Sequence, residues 1–196
     1  MSVKNQINSI NLWLKKNTSI DEKIAYIKKF ETGQSNPTFL LKSDNKSFVL
    51  RSKPIGNLLR GAHRIDREYR VMSALSNSKI PTPKMYGYCS DVDIIGTEFY
   101  VMEFISGAHE FDPDLPNYTS EQRDKIYKHK IKILAELVNL DLKKVGLENF
   151  GKPHGYLERQ INLWIKQYRD TETKHIKSME YLIDNIPKYI PNEIDN

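Results

Sequence analysis

The sequence is poor in cysteine: Cys89 is the single thiol among 196 residues, so no internal disulfide can form. A lone thiol suits a reducing compartment, and the cytoplasm is the expected location. Long apolar runs are missing as well. No stretch approaches the ~20 residues that a membrane-spanning helix requires. The amino terminus, Met1-Ser2-Val3-Lys4-Asn5-Gln6, leads into an amphipathic pattern rather than the apolar centre of a secretory signal. A membrane is therefore not an expected partner. The sequence has no internal repeat, no low-complexity tract, and neither a P-loop nor a G-x-G-x-x-G motif. The histidines at 63, 109, 129, 154 and 175 fall at no metal-ligand spacing, so no zinc site is expected.

What is present is enough apolar material for a core: 39% of residues are hydrophobic and 28% charged, which excludes wholesale disorder. The net charge of +5 is concentrated. Between Lys42 and Arg70, eight Lys and Arg stand against three Asp and Glu, so this segment alone carries +5 and the rest of the chain sums to zero. Such a patch suits a phosphorylated ligand or a nucleic acid; it is also how a solvated basic face looks. The aromatic residues fall at core spacing instead of interleaving with the patch as stacking platforms. Nucleic acid is accordingly not an expected partner.

The hydrophobic period changes along the chain. Val3, Ile7, Ile10 and Leu14 sit at helical spacing. Residues 23–52 then read as three short strands, around Ile24–Phe30, Thr38–Leu41 and Phe48–Arg51, joined by Gly-, Ser- and Asn-rich turns into an antiparallel meander. Ile65, Tyr69, Met72 and Leu75 mark a helix that Pro81 and Pro83 end. Met85–Cys89 and Phe99–Ile105 are two more strands. Beyond them the pattern turns helical. Thr119 and Gln122 form a capping box ahead of a helix whose buried face is expected to be Ile126, Tyr127, Ile131, Leu134, Leu137 and Val138. Leu157, Ile161, Trp164 and Tyr168 mark another helix, and Ile176, Met179, Leu182, Ile183 and Ile186 a third. The expected class is α+β: a small antiparallel five-stranded lobe with an N-terminal helix over 1–105, followed by a partial helical lobe over 106–196.

Three places carry candidate chemistry. The Gly33-Gln34-Ser35-Asn36 turn between the first two strands can present backbone N–H groups and small side chains to phosphate oxygens, though most such turns are ordinary hairpins. Arg51 ends the third strand and Glu68 lies on the first turns of the next helix; an Arg offers a two-pronged fork to a carboxylate or phosphate, and two unrelated surface charges would read the same way. Met102-Glu103-Phe104-Ile105 leads from the fifth strand into the helical half.

The segment Phe30-Glu31-Thr32-Gly33-Gln34-Ser35-Asn36-Pro37-Thr38-Phe39-Leu40-Leu41 resembles the nucleotide-loop signature of the phosphotransferase enzyme family, which includes aminoglycoside phosphotransferases and choline kinases. Phe48-Val49-Leu50-Arg51, the run Ala62–Val71, the run Ile94–Phe104 and Glu158-Arg159-Gln160-Ile161 resemble its acyl-CoA dehydrogenase-linked branch. The resemblance spans roughly residues 20–190. It implies a protein-kinase-like fold, ATP and Mg²⁺ as cofactors, and transfer of the γ-phosphoryl group to a hydroxyl of a small molecule, in this branch a hydroxyacyl-CoA. Carried onto this sequence, it implies that Gly33, Gln34, Ser35 and Asn36 cover the phosphates. Arg51 is then the strand-three cation, Glu68 its helix partner, and Glu103, Phe104 and Ile105 the frame of the adenine.

The same resemblance implies a catalytic loop of His-Gly-Asp with an Asn five residues after the Asp, and a further metal-binding Asp. None is found. His154-Gly155-Tyr156 has Tyr where the Asp belongs and Ile161 where the Asn belongs. The sequence ends at Ile194-Asp195-Asn196, near where the strand leading to that loop is expected, so the chain reads as truncated before it. The expectation is the N-terminal portion of an ATP-dependent phosphotransferase, inactive alone, with no catalytic residues or metal ligands of its own, apolar helix faces left uncovered, and a complementary C-terminal chain as a partner. The alternative is a non-catalytic nucleotide- or partner-binding module.

Overall fold

The change of period read from the sequence is the change of architecture. In the computed structural model, which describes residues 6–31, 35–56, 63–152 and 154–191, an N-terminal helix α1 (Ile7–Asn17) precedes three strands, β1 (Tyr26–Lys29), β2 (Thr38–Lys42) and β3 (Ser47–Ser52). Helix α2 (Ile65–Leu75) follows, then β4 (Met85–Cys89) and β5 (Phe99–Glu103). The sheet is antiparallel throughout in the order β1-β2-β3-β5-β4, so β5 returns to lie between β3 and β4.

Alternation along each strand gives the sheet two different faces. Phe39 and Leu41 on β2, Phe48 and Leu50 on β3, and Phe99 and Val101 on β5 point to one side, where they form a single cluster with Ile10 and Leu14 of α1 and with Ile20, Ile24 and Ile27. Trp13 adds an edge-on contact to Phe99 at 4.9 Å between ring centroids. Asn11 ties α1 to the start of the sheet by bonding both backbone groups of Ile24, its Nδ2 donating to the carbonyl at 2.9 Å and its Oδ1 accepting from the N–H at 2.7 Å. Gly87 on β4 permits the close approach of α1: a Cβ there would stand 3.0 Å from Thr18 Cγ2 and 3.1 Å from Trp13 Cη2. Helix α2 packs over the opposite face through Ile65 and through Tyr69, whose ring meets those of Tyr88 and Tyr100 at 5.6 and 6.1 Å.

Helix α3 (Ser120–Val138) begins with the expected capping box. Thr119 Oγ1 accepts from the N–H of Gln122, and the Gln122 side chain accepts from the N–H of Thr119. The expected burial of its apolar stripe is corrected, and the stripe is instead an uncovered apolar helix face of the kind the truncated reading expects. Tyr127, Ile131, Leu134, Leu137 and Val138 are exposed, and no residue of the helix is buried. Periodicity records which face is apolar; burial also needs something to lie on that face.

The chain divides into two compact units, 1–147 and 148–196. In the second, α4 (Tyr156–Thr171) and α5 (Lys177–Asn185) are followed by a 3₁₀ turn, Ile186–Tyr189. Arg169 clasps the two helices, bonding Glu180 through both terminal nitrogens at 2.7 and 2.6 Å and Glu172 at 3.2 Å. Leu157, Trp164 and Leu182 are exposed, and neither helix buries a residue. Among the described residues no helix is long and apolar enough to cross a membrane.

Candidate functional site

On the face of the sheet away from α1, register places four polar or aromatic side chains in a row. Thr38 pairs with Arg51, Arg51 with Tyr100, and Tyr100 with Tyr88, one residue from each of β2, β3, β5 and β4. Directly opposed residues on one face are close enough to bond. Helix α2 lays Glu68 onto this row.

Glu68 is the hub. Its Oε2 accepts from Arg51 Nε at 2.8 Å and from the Tyr100 hydroxyl at 3.0 Å, while its Oε1 accepts from Asn36 Nδ2 at 2.8 Å. Arg51 Nη1 donates to Thr38 Oγ1 at 3.0 Å. The Arg51 and Glu68 side chains keep 29% and 35% of their exposure, so the pair lies at the mouth of the face and reaches solvent. An arginine held by Nε and one terminal nitrogen still has N–H groups for an anion; a lysine has no such second fork. Tyr100 beneath them is sealed from water. Burial first, and the Glu68 carboxylate second, hold its phenol protonated far beyond the ordinary tyrosine range. Burial and then the charge of Glu98 push Tyr88 up to about 12. Both phenols are therefore neutral donors at any working pH.

Of the residues singled out from sequence, the structure brings Asn36, Arg51 and Glu68 into one hydrogen-bonded cluster. Asn36 is buried, and Ser35 beside it is exposed. Gly33 and Gln34 lie outside the described residues. Glu103, Phe104 and Ile105 stand apart from the cluster, at the exposed end of β5. The N–H of Glu103 donates to the carbonyl of Lys84 at 2.8 Å, and its Oε2 accepts from the N–H of Lys84 at 3.1 Å, which closes the β4–β5 ladder. Sequence reasoning missed Thr38, Tyr100 and His63. Thr38 meets Arg51 through the register of the β2–β3 hairpin, and Tyr100 is visible only once β5 is known to pair with β3, a contact of long sequence separation. His63 Nδ1 lies 2.9 Å from Asn36 Oδ1, and nothing in a linear reading joins positions 27 residues apart.

The carboxylate of this cluster does not suit a metal ion. Both oxygens of Glu68 already accept from N–H or O–H donors, and no other carboxylate bonds into the cluster among the described residues. A group of possible ligands that the sequence spacing did not reveal occurs in the second unit, where Glu172, His175 and Glu180 come together. There the guanidinium of Arg169 already bonds both carboxylates.

The sequence pattern of the phosphotransferase enzyme family matches residues 27–195. A solved structure from Ralstonia eutropha, carrying a provisional description as an aminoglycoside phosphotransferase, superposes with a TM-score of 0.73 at 37% identity, over 95% of this chain and 54% of that one. Mouse acyl-CoA dehydrogenase family member 10 is 42% identical over 164 residues, covering 84% of this chain and 15% of its own length. Human acyl-CoA dehydrogenase family member 11 is 40% identical over 166 residues, covering 85% of this chain and 21% of its own length. The chain therefore spans 15–21% of the length of these curated relatives and about half of the solved neighbour. With the antiparallel five-stranded sheet and its inserted helix matching in space, and the family pattern running through nearly all of the sequence, the chain belongs to the phosphotransferase enzyme family and has its kinase-like fold.

Proposed function

We propose that these 196 residues form the nucleotide-holding part of an ATP-dependent phosphotransferase that acts on a small-molecule hydroxyl, in the acyl-CoA dehydrogenase-linked branch that of a hydroxyacyl-CoA. The observation that carries this reading is the Arg51–Glu68 pair, fixed at 2.8 Å and still open to solvent, beside the Ser35–Asn36 turn. A cation locked in place by a carboxylate meets phosphate oxygens without losing side-chain entropy on binding. The mouse and human relatives, named acyl-CoA dehydrogenase family members, support the acyl-CoA acceptor. At the other end of the reading, Glu103, Phe104 and Ile105 frame the adenine. Since the Glu103 N–H is bonded to Lys84, the purine-facing N–H groups come from Phe104 and Ile105.

Membership of the family implies ATP with a divalent ion, but the donor set around Glu68 does not fit that ion. Phosphoryl transfer depends on holding the metal–phosphate group and the attacking hydroxyl. Without the His-Gly-Asp loop and its Asn, this chain alone binds nucleotide and does not turn it over. A complementary chain carrying that loop is the partner proposed to complete the site, and the exposed stripe of α3 favours such a partner.

Calorimetric titration of the chain with ATP tests the reading. The wild type is expected to bind. Arg51→Ala is expected to weaken binding by about tenfold or more, and Glu68→Ala by less, because the arginine survives there without its brace. Unchanged affinity in both variants would remove these two residues from the nucleotide site. Phosphoryl transfer from ATP to a hydroxyacyl-CoA by the unaccompanied chain would overturn the assignment of inactivity.

A further inference from the structure

The Arg51–Glu68 pair does not end at Glu68. An ionised carboxylate oxygen can only accept, so the edge of the Asn36 amide that faces Glu68 Oε1 at 2.8 Å must be its NH₂ group. The other edge, Oδ1, then faces His63 Nδ1 at 2.9 Å and also can only accept. His63 must therefore carry its proton on Nδ1. The directions of four successive contacts follow: His63 donates to Asn36, Asn36 to Glu68, Arg51 to Glu68, and Arg51 to Thr38. Asn36 is buried to 5% exposure, so an amide turned the other way would face a carboxylate with its oxygen and have no water to compensate.

His63 is held for this task by an unusual backbone. Its φ is +56°, a left-handed conformation that a residue with a Cβ seldom adopts. The residue lies two positions before the first residue of α2, and its carbonyl accepts from the N–H of Ile65 at 2.9 Å. Local strain of this kind persists where surrounding contacts over-determine it, and the contact found here is the one to Asn36.

We propose that His63 and Asn36 are positioning residues for the Arg51 guanidinium: the Nδ1–H of His63 fixes the Asn36 amide, the amide fixes the Glu68 carboxylate, and the carboxylate fixes Arg51. Asn36 then serves the site through Glu68, and its side chain is not itself a phosphate ligand. The role of Arg51 toward nucleotide rests on the reading above; the relay does not.

Two substitutions at one position separate the hydrogen bond from the backbone. His63→Asn retains an N–H at the place of Nδ1 and tolerates a left-handed φ. His63→Gly relieves the strain and removes the donor. The first readout needs no ligand: the exchange protection of the Arg51 Nε–H, followed by NMR on the ¹⁵N-arginine-labelled full chain. His63→Asn is expected to keep wild-type protection. His63→Gly and Asn36→Ala are expected to lower it by about tenfold, the effect of one charge-assisted bond. Wild-type protection in His63→Gly would overturn the relay, as would equal loss in His63→Asn and His63→Gly. The second readout is ATP titration, in which His63→Asn matches wild type and His63→Gly binds several-fold more weakly. If the wild type fails to bind ATP, the nucleotide reading fails, and the exchange measurement still decides the relay.

Discussion

Around the sheet, Ile10, Leu41, Leu50 and Phe99 are sealed from water on one face, and the polar groups of the other face are paired with one another. Along α3, α4 and α5 the same kinds of side chain, Leu134, Trp164 and Leu182 among them, stand 49–65% exposed. The two regions have similar local sequence quality: amphipathic stripes, sound turns and, for α3, a complete capping box. They differ in partners. A helix is amphipathic by its own sequence, but it is buried only by what packs on it, and most helix stability in proteins comes from that packing.

The sharpest way to break this comparison is a matched pair of truncations read by urea denaturation. Leu50→Ala removes a fully buried side chain between α1 and three strands and is expected to cost about 2–5 kcal/mol. Trp164→Ala removes a larger but mostly exposed side chain and is expected to fall within ~0.5 kcal/mol of wild type. Equal losses would mean that the exposed stripes are packed in solution.

The next largest effect concerns the polar face. Tyr100→Phe removes the hydroxyl that donates to Glu68 and is expected to cost about 1 kcal/mol near neutral pH. Its pH dependence carries a definite sign. The phenol is held protonated above its ordinary range, so its contribution is whole below the unfolded value near pH ~10 and is lost as pH rises beyond it. The gap between wild type and Tyr100→Phe is therefore expected to hold level up to about pH 10 and to narrow above it in denaturation midpoints. Tyr88, also shifted upward, acts in the same direction and is present in both proteins. A gap that widened with pH would place an ionised phenol in the folded state.

The smallest expected effect is at the start of α3. Thr119→Ala removes the capping box and is expected to cost about 1 kcal/mol locally, seen as faster amide exchange over residues 120–123. Because α3 buries nothing, the global unfolding midpoint is expected to move little. A global loss would show that α3 is coupled to the core.

The elements of the fold were largely legible in the sequence because each is set by local rules. The turns around Ser43–Lys46 and Ser35–Asn36, the stripe of α2 and the capping residues of α3 all lie within a few positions of what they determine. The site was legible only in part. Arg51 and Glu68 stood out as charges on neighbouring elements, but Tyr100 joins them through β3–β5 pairing, and His63 through a left-handed residue that no propensity predicts. The expected burial of Ile131, Leu134 and Leu137 failed for the complementary reason: amphipathicity is a property of one segment, and burial is a property of two.

The alternation that puts Arg51 on the α2 face has a consequence for how the chain finds its fold. If β3 slid by a single residue against β2 and β5, Arg51 would be carried beneath α1 among Ile10, Leu14 and Phe99, stripped of Glu68, and Leu50 would be turned out to the polar row. A lone charge in that apolar layer is far costlier than any backbone bond the slip could recover. The pair at the mouth of the site thus guards the fidelity of strand assembly: a misaligned chain is rejected during folding, before any ligand is met.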